Sequence, residues 1–181
     1  MAEVSGPKWC ERFPGSASPD ALLPDFRGRV WAFISAIERG GAQVAIASTY
    51  RPPERAYLMH WCWRIAEGSW DAGDVPHMAK VDIDWTHRGN DAAALAAARA
   101  MVKAYDLEVA PALDSHHCHR RAIDMTVSWR DALTIIDFEG REHHIRSTPR
   151  NGTNRELIQV GATFGVFKLL SDPPHWSDDG H

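Results

Sequence analysis

The chain has 181 residues, of which 44% are hydrophobic, and this length and composition fit one globular domain with a buried core. Its formal net charge of -4 gives no basic surplus, so we expect neither nucleic acid nor an anionic membrane surface as a partner. No apolar run approaches the roughly 20 residues of a membrane span. Three widely spaced cysteines, Cys10, Cys62 and Cys118, imply no disulfide framework.

The first part of the chain predicts an irregular arm followed by a helix, a strand and a helix. Residues 1–23 mix Gly, Pro, Ser and charged residues without periodicity, which indicates an N-terminal arm, and residues 24–181 are expected to form the main domain. Apolar residues at helical spacing predict a helix over Pro24–Arg39. A run rich in Val, Ile and Ala predicts a strand over Gln43–Ser48, and a second helix begins at Pro52-Pro53.

The middle of the chain is rich in loops and contains one clear helix. The alternation in Val81–Trp85 predicts either a short strand or a wall of a cleft. Asn90 is expected to cap an alanine-rich helix over Asp91–Tyr105, because its side-chain oxygen can accept hydrogen bonds from first-turn amides.

The last part predicts strands, a helix and a final strand. Leu133–Phe138 and Arg141–Ile145 flank Glu139-Gly140, which is typical of a hairpin. A capping-box pattern from Thr153 to Glu156 predicts a helix that ends near Gly165. The order of elements predicts a single-domain α+β fold, with a small antiparallel sheet that carries the site and helices packed on it.

A strand over residues 122–129 aims one carboxylate at a cleft. Its polar positions alternate with large apolar residues, so Asp124 lies on the face opposite the core side chains. His117 comes just before this strand, and His175 can supply a third ligand from a distant segment. A His, Asp, His set with a fourth position left for water is typical of a catalytic zinc site.

These residues also carry a family resemblance. The run Ser115-x-His117-x-x-x-x-Ala122-x-Asp124 resembles the Ser-x-His-x-x-Gly-x-Ala-x-Asp signature of the M15 zinc peptidases, the D-Ala-D-Ala carboxypeptidases and dipeptidases that include phage endolysins. The resemblance implies a hedgehog/DD-peptidase-like fold, with Zn2+ held by His117, Asp124 and His175. Together with two further segments described next, the match spans roughly residues 43 to 177 in the family's order.

Two further segments resemble the same family. Asp172-x-x-His175-Trp176 is similar to its second motif, which implies that Asp172 is the general base. Trp176, beside His175, is expected to shape the metal site and to bind substrate. Ser48 to Pro52 resembles its Tyr-Arg segment, which implies that Tyr50 contacts substrate and that Arg51 stabilises the oxyanion or binds substrate. Ser115 is expected to bind substrate, to bond to a ligand side chain or to cap a turn.

The chain departs from the family pattern at two positions. Arg120 stands where the family has glycine, which affects the local loop because glycine tolerates backbone angles that arginine does not. Asp172 replaces the commoner glutamate. A shift of register would exchange His117 for His116 or His119 as a ligand, and Cys118 could also be read as one.

The resemblance implies a zinc-dependent peptidase that hydrolyses peptide bonds in peptidoglycan stem peptides, as a carboxypeptidase or an endopeptidase. Because no signal peptide is visible, we expect synthesis in the cytoplasm and action on the cell wall or periplasm after phage release or secretion. Expected partners are peptidoglycan peptides, with a secretion machinery or an immunity protein. The alternatives are a non-catalytic zinc-binding cell-wall recognition module and a cytosolic D-Ala-D-Ala dipeptidase.

Overall fold

The computed structural model describes residues 2–181. Its internal contacts divide the chain into two compact units, and each unit is built from two separate segments. The helical unit consists of the residues up to Gly15 together with Arg51–Ser115. The sheet unit consists of Ser16–Tyr50 together with His116–His181.

The regular elements, in chain order, are β1 (Glu3–Val4), α1 (Pro24–Arg39), β2 (Gln43–Ser48), α2 (Pro53–Ala66), β3 (Ile83–Asp84), α3 (Asp91–Tyr105), β4 (Ala122–Ser128), β5 (Leu133–Ile136), β6 (Glu142–Ile145), α4 (Arg155–Thr163), β7 (Phe167–Lys168) and β8 (His175–Ser177). Short 3-10 helices occupy Pro7–Glu11, Pro19–Ala21 and Ala72–Asp74. The predicted α+β class, with helices and small antiparallel sheets, is confirmed.

The sheet unit is organised around a four-stranded antiparallel sheet in the order β2-β4-β8-β7. Its register places Asp124 of β4 opposite Ser48 of β2 on one side and opposite His175 of β8 on the other. The main-chain N–H of Met125 also donates to the oxygen of Pro174 at 2.9 Å, which anchors the residue just before His175.

The alternation of β4 separates its two faces as predicted. Ile123, Met125 and Val127 are buried in the core of the sheet unit, whereas Thr126 is exposed and Asp124 is half-buried. The helix α1 contributes a buried stripe at the spacing that the sequence predicted, and its bounds match the prediction. The stripe consists of Phe26, Val30, Phe33, Ile34 and Ile37.

The helix α4 approaches the sheet closely at Gly161. A Cβ added at Gly161 would lie 2.9 Å from the Trp176 ring and 3.0 Å from the Phe33 ring, so only glycine fits there. The N-cap of α4 is Asn154, whose side-chain oxygen accepts from the N–H groups of Glu156 and Leu157. This corrects the predicted capping box, because the hydroxyl of Thr153 instead donates to Asn151.

The hairpin of β5 and β6 is confirmed and is closed by a buried carboxylate. Oδ1 of Asp137 accepts from the main-chain N–H groups of Glu139 and Arg141, at 2.9 Å each. Its Oδ2 accepts from Nε2 of His143 at 2.8 Å and from Nε of Arg141 at 3.2 Å. Gly140 has a φ of 83°, which glycine adopts without steric cost in this turn.

The helical unit packs α2 against α3 around a core of its own. Asn90 caps α3 as predicted, because its side-chain oxygen accepts from the N–H of Ala93. The predicted strand over Val81–Trp85 is shorter, since its strand is limited to Ile83–Asp84, which pairs in parallel with β1. None of the helices within residues 2–181 combines the length and the apolar character that crossing a bilayer requires.

Candidate metal centre

The sheet unit brings three predicted ligands together from three parts of the chain. His117 lies in a turn before β4, which is closed by main-chain bonds from the N–H groups of Arg120 and Arg121 to the oxygens of His117 and His116. Asp124 and His175 face each other across β4 and β8. The two imidazoles are buried, and the carboxylate is 18% exposed, so solvent reaches the cluster through Asp124.

The three ligand atoms form a nearly equilateral triangle. Nε2 of His117 lies 3.1 Å from Oδ1 of Asp124 and 3.2 Å from Nδ1 of His175, and that Nδ1 lies 3.1 Å from the same Oδ1. Zinc bonds nitrogen and oxygen ligands at about 2.0–2.2 Å, which places tetrahedral ligands about 3.3 Å apart. The triangle therefore has the size that three ligands of one zinc ion require.

Hydrogen bonding determines which ring nitrogen of His175 can bind a metal. Nε2 of His175 lies 3.2 Å from the main-chain oxygen of His181. Because a carbonyl oxygen can only accept, Nε2 carries the proton, and in the neutral ring Nδ1 presents its lone pair to the triangle. A contact of this kind with the second ring nitrogen is typical of histidines that bind metals.

His117 has no such partner on its second nitrogen. Its Nδ1 is buried and makes no hydrogen bond within residues 2–181, whereas Nε2 points at two acceptors, Oδ1 of Asp124 and Nδ1 of His175. A proton on Nε2 of His117 can be donated to these acceptors. It leaves no proton for the 3.1 Å contact between Oδ1 of Asp124 and Nδ1 of His175. A cation at the centre satisfies all three atoms at once, so the residues fit a metal.

The electrostatics of Asp124 also favour a cation. Burial raises the pKa of this carboxyl group, but the neighbouring imidazoles of His117 and His175 outweigh burial and hold the pKa well below its usual range. Asp124 is therefore ionised at neutral pH, in the protonation state that a metal ligand needs.

A turn after β8 holds the main-chain oxygen of His181 in place. Oδ1 of Asp179 accepts from the N–H of His181 at 3.1 Å, and Oδ2 of Asp179 lies 2.9 Å from Nε2 of His116. The neighbouring Asp178 accepts from Nε of Arg121 at 2.6 Å. His116, Asp178 and Asp179 form a second group with ligand spacing, but it is tied into this network of ion pairs with Arg121.

A buried lysine fixes the segment between β7 and β8. Nζ of Lys168 donates to the main-chain oxygens of Leu169 at 2.7 Å, of His175 at 2.9 Å and of Asp172. Burial lowers the pKa of Lys168, while the charges of Asp172 and Asp124 raise it. Lys168 thus holds both ends of the loop that bears Asp172 and His175.

The remaining predicted site residues lie in different surroundings. Asp172 is exposed on the loop before β8, and it is not among the ligand atoms of the triangle. Trp176 is fully buried against Phe33, with ring centroids 5.4 Å apart. A side chain without exposed surface cannot contact substrate, which corrects that part of the prediction. Arg51 and Ser115 belong to the helical unit.

Arg120, which stands where the family that the motifs resemble has glycine, adopts a left-handed backbone conformation. Its φ is 60°, in the left-handed region that glycine favours and other residues occupy at a cost of about 1 kcal/mol. Its guanidinium lies over the ring of Tyr50, 4.5 Å from the ring centroid. The replacement thus leaves the turn as a glycine would form it and adds a cation beside Tyr50.

No sequence pattern pointed to the residues that support the candidate ligands. The side chains of Lys168 and Asp179 bind main-chain atoms, and His181 offers its own main-chain oxygen; the positions of these atoms depend on the fold and not on a motif. Comparison with protein-family models, with characterised proteins and with solved structures finds no match to this chain. The site is therefore interpreted from its geometry and from the resemblance of its motifs.

Proposed function

We propose that the protein is a zinc-dependent peptidase that hydrolyses peptide bonds in peptidoglycan stem peptides. The observation that carries the proposal is the triangle of His117, Asp124 and His175, whose ligand atoms lie 3.1 to 3.2 Å apart. Two nitrogens, one oxygen and a solvent-facing side suit a catalytic zinc site, whereas a structural site would be closed by a fourth side chain. His117, Asp124 and His175 would hold the ion.

Zinc in such a site supplies a Lewis acid and lowers the pKa of water towards about 7. The chain itself would supply the proton transfer. Asp172 lies three residues before His175, and its carboxylate is exposed while its main chain is held by Lys168. In this proposal Asp172 takes a proton from the attacking water and later delivers it to the leaving amine.

The substrate class rests on the resemblance of the three motifs to the M15 peptidases. The same resemblance supports three further parts of the proposal. They are the hedgehog/DD-peptidase-like fold, the role of Arg51 as the cation at the oxyanion, and the binding of substrate by Tyr50 and Ser115. A small antiparallel sheet with the ligands on neighbouring strands is compatible with that fold. The protein would reach the cell wall by release or secretion, with a secretion machinery or an immunity protein as partners.

The test is digestion of purified peptidoglycan sacculi by the zinc-loaded protein, followed by mass spectrometry of the released muropeptides. We expect new fragments that differ by hydrolysis of one peptide bond, and none from His175→Ala. Hydrolysis of free D-Ala-D-Ala alone would point to the cytosolic dipeptidase instead. Binding of zinc and sacculi without new fragments would contradict catalysis and point to a recognition module.

A further inference from the structure

The pair formed by Arg120 and Tyr50 joins the two chain segments that hold His117 and Ser48. Arg120 follows His117 by three residues in the same turn, and its N–H donates to the His117 oxygen at 3.3 Å. Tyr50 follows Ser48 by two residues, and Ser48 lies opposite Asp124 in the sheet. Each member of the pair is therefore close in the chain to a ligand or to the residue opposite one.

The main chain of Arg120 is fixed on both sides. Besides the bond from its N–H to His117, its oxygen accepts from the N–H of Leu23 at 3.0 Å. Tyr50 is fixed as well, because its main-chain groups exchange hydrogen bonds with Ser16 at 2.9 and 3.2 Å. The stacked guanidinium, 4.5 Å from the ring centroid, is thus held between two anchored backbones.

The charge of Arg120 is not neutralised by a carboxylate within residues 2–181. Its guanidinium lies over the Tyr50 ring, and the residue is exposed. The neighbouring Arg121 differs, because Asp178 and Asp179 pair with it. A cation that is oriented by an aromatic ring and has no anion of its own is suited to bind an anionic group of a ligand.

We propose that Arg120, oriented by Tyr50, binds the terminal carboxylate of the substrate peptide. This inference rests on the proposed function and deepens it, since it names peptides with a free C-terminus as the substrate class. The planar guanidinium can make two parallel hydrogen bonds to a carboxylate, and the stacking on Tyr50 leaves those N–H groups available. The protein then acts as a carboxypeptidase more readily than as an endopeptidase.

The experiment compares N-acetyl-D-Ala-D-Ala with its C-terminal amide by isothermal titration calorimetry. The zinc-loaded protein carries Asp172→Asn to slow turnover. We expect the acid to bind about tenfold to a hundredfold more tightly than the amide, the usual worth of hydrogen bonds to a charged group. Arg120→Gly should remove most of this preference and leave amide binding unchanged, while Arg120→Lys should keep part of it. Tyr50→Leu should weaken acid binding more than amide binding.

Two controls separate recognition from folding and from net charge. Glycine accepts a φ of 60°, so Arg120→Gly should melt at the temperature of the parent or above. Arg146→Gln removes the same charge from an exposed position and should leave the preference intact.

The outcomes distinguish this inference from the proposed function. An acid preference that survives Arg120→Gly, or no preference in the parent protein, overturns the inference even if sacculi are digested. A preference that depends on Arg120 in a protein that digests no peptide would support carboxylate binding and refute the peptidase.

Discussion

Each of the three ligand side chains can be tested separately because each occupies one corner of the triangle. His117→Ala, Asp124→Ala and His175→Ala should each lose the zinc, since a three-ligand site cannot spare a ligand without a large loss of affinity. The measurement is metal content after dialysis, by inductively coupled plasma mass spectrometry, with one zinc per chain expected in the parent. His144→Ala, at an exposed position of β6, is the control.

Full retention of zinc by any of the three variants would contradict the assignment. The ligands would then have to include His116, Cys118 or His119, which share the turn with His117.

A substitution at Asp172 distinguishes the role of general base from the role of metal ligand. Its carboxylate lies outside the triangle, so Asp172→Asn should retain zinc but lose hydrolysis by about two or more orders of magnitude, as expected for removal of a general base. Metal content and muropeptide release are measured on the same preparation. Asp131→Asn, at an exposed turn, should change neither. Near-normal turnover in Asp172→Asn would show that another group activates the water.

The cluster of His117, Asp124 and His175 could be predicted from the sequence because a strand fixes the direction of its side chains. Alternation alone placed Asp124 on the open face of β4, and the motif spacing selected His117 and His175. The supporting contacts could not be predicted in this way. Lys168 and Asp179 bind main-chain oxygens and N–H groups, and no residue pattern specifies which of these groups a fold brings near.

At the scale of elements, helix bounds followed the sequence where capping residues and apolar spacing agreed. The helices α1 and α3 begin and end as predicted. The predicted capping residue of α4 was wrong. Asn154 and not Thr153 caps the helix, because the amide of Asn154 also donates to the main-chain oxygens of Ser147 and Pro149. Local pattern could not weigh these tertiary bonds.

Two helical glycines should respond to alanine in opposite directions. Gly161→Ala should destabilise by about 1–3 kcal/mol, because its Cβ meets the Trp176 and Phe33 rings at 3.0 Å or less and the core cannot expand freely. Gly28→Ala, with no atom within 4 Å of the new Cβ, should stabilise by about 0.5–1 kcal/mol through helix propensity. Urea unfolding of the metal-free protein measures both.

Equal effects of the two substitutions would show that α4 does not press on Trp176. Since Trp176 follows His175 in β8, Gly161→Ala is also expected to weaken zinc binding, which Gly28→Ala should leave unchanged.

For the whole molecule, acid should reduce stability through Asp137. The hydrogen bond from His143 holds the pKa of Asp137 well below its usual range, and bonds from Arg141 and Glu139 act in the same direction, against burial. As pH falls below the unfolded pKa of this group, the unfolded chain therefore binds a proton at Asp137 before the folded chain does. This contribution is present above the unfolded pKa of about 3.9, and it is lost as pH falls below that value.

Thermal melts between pH 7 and pH 3, in the presence of a chelator, provide the measurement. Asp137→Asn should be less stable than the parent at pH 7, and the difference should shrink as pH falls. Asp71→Asn, at an exposed position, should keep the slope of the parent. A difference that does not change with pH would show that folding does not lower the pKa of Asp137.

The triangle joins His117 to His175 across 58 residues of chain. An ion held there closes a long loop, as a reversible cross-link would, and it binds the folded chain in preference to the unfolded one. By mass action, each tenfold rise in free zinc above the dissociation constant adds about 1.4 kcal/mol to the free energy of unfolding. The persistence of the fold would then depend on the zinc concentration of the compartment in which the protein finds itself.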